Sequence, residues 1–230
     1  MKKYFIVAAL CIASVTASAQ FVNVKKSTIN DEQRISFGIR AGLNVSKLSG
    51  FKWEDRDSPF YDEWSSKNRI GGHFGVVANV PIAQNFYVQP GLYFTAKGSK
   101  LECEFHGSYW KDEEKYEATP YYLEIPVLAS YRIPLSDDIK IHINAGPYIA
   151  YGLGGKLKEL DSDDNDDIFG SDGIANRFDF GLNVGAGVSF KKIYAGLGYE
   201  FGLLNLGKEI ENYEYSMKTR NFFIQVGYDF

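Results

Sequence analysis

Period-two alternation of apolar and polar residues, repeated in eight segments with glycine gathered on the polar side, constrains this chain more than any other feature. Alternation at that period makes strands whose two faces meet different surroundings. The segments are residues 35–44, 73–80, 86–97, 121–132, 140–153, 177–190, 193–204 and 219–230. In the first, Ile35, Phe37, Ile39, Ala41 and Leu43 oppose Ser36, Gly38, Arg40, Gly42 and Asn44. In the last, Phe222, Ile224, Val226, Tyr228 and Phe230 oppose Asn221, Gln225, Gly227 and Asp229.

Glycine decides which face is which. Of the 23 glycines, 13 fall on the polar faces, among them Gly38, Gly75, Gly146, Gly185, Gly187 and Gly198. The wet face of a soluble sandwich has no need of so many. A narrow closed barrel does, because inward positions must mix small residues with a few long polar ones while the apolar face meets lipid. The connections agree: 81–85, 133–139 and 191–192 are short, whereas 45–72, 98–120, 154–176 and 205–218 are long and charged, in strict alternation. The expected fold class is all-β, an eight-stranded antiparallel up-and-down transmembrane β-barrel with both termini on the short-turn side.

Aromatic residues near the strand ends fit the two membrane interfaces, with Phe86, Tyr131, Phe190, Tyr194, Tyr228 and Phe230 at one rim and Tyr121, Tyr122, Tyr151 and Phe222 at the other. Tyr228 and Phe230 close an amphipathic terminal strand that resembles the signal read by barrel-insertion machinery.

The first residues read as an address. Lys2 and Lys3 precede a ten-residue apolar run, too short for a spanning helix, and Ala17-Ser18-Ala19 supplies the small residues of a cleavage site. Residues 1–19 are therefore a signal peptide, 20–34 a short N-terminal segment and 35–230 the outer-membrane barrel domain. Cleavage removes Cys11 and leaves Cys103 alone, which excludes an intramolecular disulfide. It also leaves 23 basic against 29 acidic residues, a net charge of −6 with no basic surface for nucleic acid.

The stretches Gly38-Ile39-Arg40-Ala41-Gly42-Leu43-Asn44, Phe86-Tyr87-Val88-Gln89-Pro90-Gly91-Leu92-Tyr93, Tyr122-Leu123-Glu124-Ile125-Pro126-Val127, Asn144-Ala145-Gly146-Pro147-Tyr148 and Gly196-Leu197-Gly198-Tyr199 resemble the PorT-like outer-membrane β-barrel family. The resemblance covers nearly all of the chain from Ile35 onward. It implies a barrel in the outer membrane of a Gram-negative envelope and an association with protein export. It carries no catalytic residues over.

Inward charges are the first candidate site. Arg40, Glu124, Asp179 and Glu200 are expected at nearby depths in the exterior half of the interior, joined in a structural ion-pair network, because an unpaired buried charge is costly. His106 and Ser108, with Glu104, offer a weak hydrolase pattern of the kind used by small lipid-modifying barrels. The acidic stretch 161–172 follows part of a calcium-loop template but has Asp166 where the turn needs glycine and Asp172 in place of the bidentate glutamate. Trp53, Trp64 and Trp110 lie in the long connections and are expected to pack them.

No zinc, nucleotide or haem motif is present, so the expectation is a monomer with no cofactor, no metal and no catalytic residue. Its expected role is a structural or interaction component of the envelope that meets outer-membrane lipid and lipopolysaccharide, the insertion machinery and an envelope protein partner. The alternatives are a soluble periplasmic lipocalin-like carrier of an apolar ligand and, ranked last, a small lipid-modifying enzyme.

Overall fold

The computed structural model describes residues 34–49, 61–106, 111–159, 165–169, 173, 175–207, 209–210, 213–214 and 217–230. Residues 35–230 make one compact unit. Its strands are β1 (Ser36–Ser49), β2 (Tyr61–Ala83), β3 (Phe86–Ala96), β4 (Ser99–His106), β5 (Lys111–Pro134), β6 (Ile139–Glu159), β7 (Asn165–Asp167), β8 (Phe178–Phe190), β9 (Ile193–Gly202), β10 (Glu209–Ile210), β11 (Tyr213–Glu214) and β12 (Lys218–Asp229).

All pairings are antiparallel, and nine of these strands close into a ring. β1 pairs with β2 and β12; β12 continues to β9, then β8, β6 and β5. β3 and β4 together join β5 back to β2, lying in line on either side of Lys97–Gly98. The ring therefore has eight places, with β3 and β4 sharing one. Its short turns are tight: Asn85 and Lys191 take left-handed φ values of 66° and 53°, which the two-residue reversals require.

The faces divide as the alternation requires. Phe37, Val76 and Leu182 are 62%, 53% and 45% exposed, whereas Glu200 is 4% exposed. The glycines named above on the polar faces are all buried or half-buried. At Gly187 and Gly196 the reason is direct, since a Cβ at either position would collide with the Tyr194 side chain lying across both. An interior this narrow takes a large ring only where its neighbours have none.

Two expectations about the rims are corrected. Tyr122 and Tyr194 are buried in the interior, on the same parity as Glu124 and Gly196, and do not join the aromatic rims. Some apolar side chains also turn inward, with Val77, Leu128 and Phe223 all buried.

The long connections are corrected as well. β1 runs on to Ser49, β2 begins at Tyr61, and β4 with the first part of β5 occupies what reads in the sequence as one loop, 98–120. Beyond the apolar band alternation weakens while the backbone ladder continues: β2 reads Ser65-Ser66-Lys67-Asn68 and β5 Lys111-Asp112-Glu113-Glu114-Lys115, and only β4 keeps it, with Leu101, Cys103 and Phe105 opposite Lys100, Glu102 and Glu104. Tyr61 pairs with His106 and Lys111 pairs with His106 in turn. The stretch 154–176 contains the end of β6 and β7 paired to it, and 205–218 contains the β10–β11 hairpin.

Candidate functional site

The buried polar interior is the site, and it falls into two clusters separated by a small cavity. Nearer the long connections, Lys97 emerges from the break between β3 and β4. Its ammonium bonds Glu124 of β5 and lies 2.6 Å from Glu200 of β9. Glu200 also accepts from Asn183 Nδ2 at 3.2 Å and from Asn221 Nδ2 at 2.8 Å. Asp179 accepts from the Tyr148 hydroxyl at 3.2 Å, and Lys97 sits over that tyrosine ring at 4.6 Å. Two acids thus bond one base directly and a third borders it through Tyr148, so a single ammonium group ties β5 and β9 to the break between β3 and β4.

The second cluster lies toward the short turns. Arg40 of β1 donates to Asp229 at 2.8 Å and stands 4.4 Å over the Tyr194 ring. Asn79 links the rest: its amide nitrogen donates to Asp229 at 3.3 Å, while its oxygen accepts from Arg132 at 2.6 Å and Gln89 at 2.7 Å. Arg132 in turn lies 3.8 Å over the Tyr87 ring.

The sequence places Arg40, Glu124, Asp179 and Glu200 at nearby depths in the exterior half, and the structure separates Arg40 from the other three. Glu124 and Glu200 meet on Lys97, and Asp179 borders them through Tyr148, but Arg40 belongs to the other cluster. Its partner Asp229 is eight positions along β12 from Asn221, the partner of Glu200, or about 27 Å of strand. Alternation tells which face a residue takes; the tilt and stagger of the strands decide its depth, and no local pattern encodes them.

Between the clusters lies a cavity of about 30 Å³, bordered by Asn44, His73, Tyr93, Asn183 and Gln225 together with Glu124 and Glu200. That holds a water or two. His73 fixes Asn44 at 2.8 Å and packs edge-on against Phe223 at 5.6 Å.

Above Asp179 an apolar cluster covers the interior. Ile168, Phe169, Leu206 and Met217, all buried, pack with Tyr122 and Tyr148. Phe169 occupies the space that a side chain at Gly152 would need, meets Tyr122 edge-on at 5.7 Å and carries Arg177 over its ring at 5.4 Å. The signal for this cap is in the sequence, two adjacent apolar residues inside an acidic stretch, but the calcium-loop template draws attention away from it.

Other expected positions are placed as follows. Tyr228 and Phe230 face outward at the ring's seam, 5.4 Å apart, and the Phe230 amide donates to Phe37 O at 2.8 Å. His106 ends β4, but its side chain, those of Cys103, Glu104 and Trp64, and the whole of Ser108, Trp53 and Trp110 lie outside the described residues. So do residues 1–33 and, within the acidic stretch, 161–164 and 170–172.

A closed antiparallel ring that turns apolar side chains outward and ion pairs inward defines a class of protein built for lipid surroundings. The chain belongs to the outer membrane protein beta-barrel domain family, whose pattern matches residues 19–207, and that membership points to the outer membrane. No curated protein sequence matches it.

Among solved structures it is similar to the attachment invasion locus protein Ail of Yersinia pestis, with 14% identity over 85% of this chain and 98% of that one and a TM-score of 0.40. It is similar also to Neisserial surface protein A, with 13% identity over 86% and 99% and a TM-score of 0.42. The outer membrane protein OprG of Pseudomonas aeruginosa gives 11% identity over 86% and 97% and a TM-score of 0.48.

Proposed function

We propose that this chain is an eight-stranded, up-and-down transmembrane β-barrel of the outer membrane, a monomer without enzymatic activity that serves as a structural or interaction component of the envelope. Its long connections face the exterior, and its short turns and both ends of the barrel domain face the periplasm. The observation that carries this reading is the sidedness of the ring: exposed Phe37, Val76 and Leu182 against buried Arg40, Glu124 and Glu200. A lipocalin-like carrier would need the opposite arrangement.

The ion-paired clusters and the apolar cap support a plug in place of a conduit, because the 30 Å³ cavity between them leaves no room for a solute. The resemblance to the PorT-like family supports a link to protein export, and the exposed terminal pair Tyr228 and Phe230 supports recognition by barrel-insertion machinery. Lipid and lipopolysaccharide surround the barrel; the exterior loops or the periplasmic rim meet an envelope protein.

Cell fractionation tests this. The reading expects the protein in outer-membrane material, with heat-modifiable migration in detergent. Release by osmotic shock would favour the carrier. For the export link, a strain lacking the protein should retain cargo that the parent strain secretes; unchanged secretion would remove that part of the reading.

A further inference from the structure

Along the seam between β1 and β12, outward pairs run Leu43 with Ile224, then Val45 with Phe222, and the next is Lys47 with Arg220. Leu43, Ile224, Val45 and Phe222 are all exposed, so this is the point where the apolar band stops. Lys218, one step further on the same face of β12, pairs with Ser49. Three cations thus stand together on the outward face at the long-connection end of the band. Like charges set directly across a sheet repel.

No acid offsets them among the described residues. The Lys47 and Lys218 side chains are exposed, and no hydrogen bond or ion pair among the described residues reaches either ammonium group. Neighbouring exterior cations behave differently: Lys67 pairs with Glu102 at 2.5 Å and Arg69 with Glu117 at 2.8 Å. Arg220 is held in place, its Nη1 donating to Gly202 O at 2.8 Å and Thr219 O at 3.1 Å while its guanidinium lies 5.9 Å over exposed Phe201. Its Nε and Nη2 have no partner among the described residues. A fixed guanidinium flanked by two long, unpaired lysines is suited to phosphate oxygens.

We infer that Lys47, Arg220 and Lys218 form a binding site for the phosphate of an outer-leaflet lipid headgroup, with the lipid's acyl chains lying along Val45 and Phe222. This rests on the outer-membrane reading above and assigns a particular site within it. Position supplies the argument for a lipid over a free anion: the cations begin where the acyl-facing residues end, as required of a headgroup whose tails are in the membrane.

The test uses the full-length mature protein, folded in neutral detergent and titrated with diphosphoryl lipid A, dephosphorylated lipid A or inorganic phosphate. Phosphorylated lipid should raise the unfolding midpoint by about 4 °C at tenfold excess over its dissociation constant. The K47Q/K218Q variant should lose most of that rise while keeping heat-modifiable migration. An equal rise with dephosphorylated lipid, an equal rise with inorganic phosphate alone, or an undiminished rise in the variant would each overturn the assignment. Loss of heat-modifiable migration in the unsubstituted protein would instead overturn the barrel reading itself.

Discussion

The two interior clusters solve the same problem with opposite charge balances. Around Lys97 two carboxylates share one base while a third, Asp179, borders it through Tyr148, and all four groups are shut away from water. Around Asp229 one guanidinium, that of Arg40, bonds the acid directly and a second, that of Arg132, reaches it through Asn79; the Asp229 side chain keeps 18% of its exposure, and Asn79 spreads the bonding among Arg132, Gln89 and Asp229. The first depends on a single ammonium group. The second is a mesh with a path to solvent at the short-turn end. A buried charge loses more when its only partner is removed than when water can replace that partner.

That contrast orders the effects of substitution. Lys97→Met should be the most damaging, costing about 4 kcal/mol in urea unfolding from lipid, because it leaves Glu124 and Glu200 buried side by side without a base. Adding Glu124→Gln and Glu200→Gln should return much of the loss; no recovery would mean that Lys97 acts through packing alone. Phe169→Ala should cost about 3 kcal/mol by opening the cap above Asp179. Arg40→Met should cost less, about 2 kcal/mol, since Asp229 can be hydrated. If Arg40→Met matched or exceeded Lys97→Met, the distinction between the clusters would fail. Asn79→Ala should be mildest, about 1 kcal/mol, with the Arg132 guanidinium donating instead to water or to the Gln89 amide oxygen and the Gln89 amide nitrogen donating to water.

How much of this can be read from the residues depends on what each region borders. Where one face meets lipid and the other the interior, alternation is forced, so the sidedness of Arg40, Glu124, Asp179 and Glu200 follows from parity. Depth does not follow. It depends on the stagger between strands, and Arg40 lies far from the acids for that reason. The same parity assigns Tyr122 and Tyr194 to the interior, yet their aromatic character suggests the rim; Gly187 and Gly196 beside Tyr194 are the cue that outweighs it.

Above the band the signal fades for a physical cause. The first part of β5, Lys111-Asp112-Glu113-Glu114-Lys115, has no apolar face to mark it, and β4 alternates only over Leu101, Cys103 and Phe105, so both are fixed by the ladder that β2, β4 and β5 share. Lys97 has the right parity, but its role as the common partner of Glu124 and Glu200 depends on three strands meeting at one level.

The central claim is the direction in which the ring's faces point, and spin-label accessibility at Leu182→Cys and Val184→Cys in lipid vesicles tests it most directly. Dissolved oxygen should quench both labels strongly and a water-soluble nickel complex should barely reach them, as befits side chains in acyl surroundings. Ready access by the nickel complex at both sites would contradict the account.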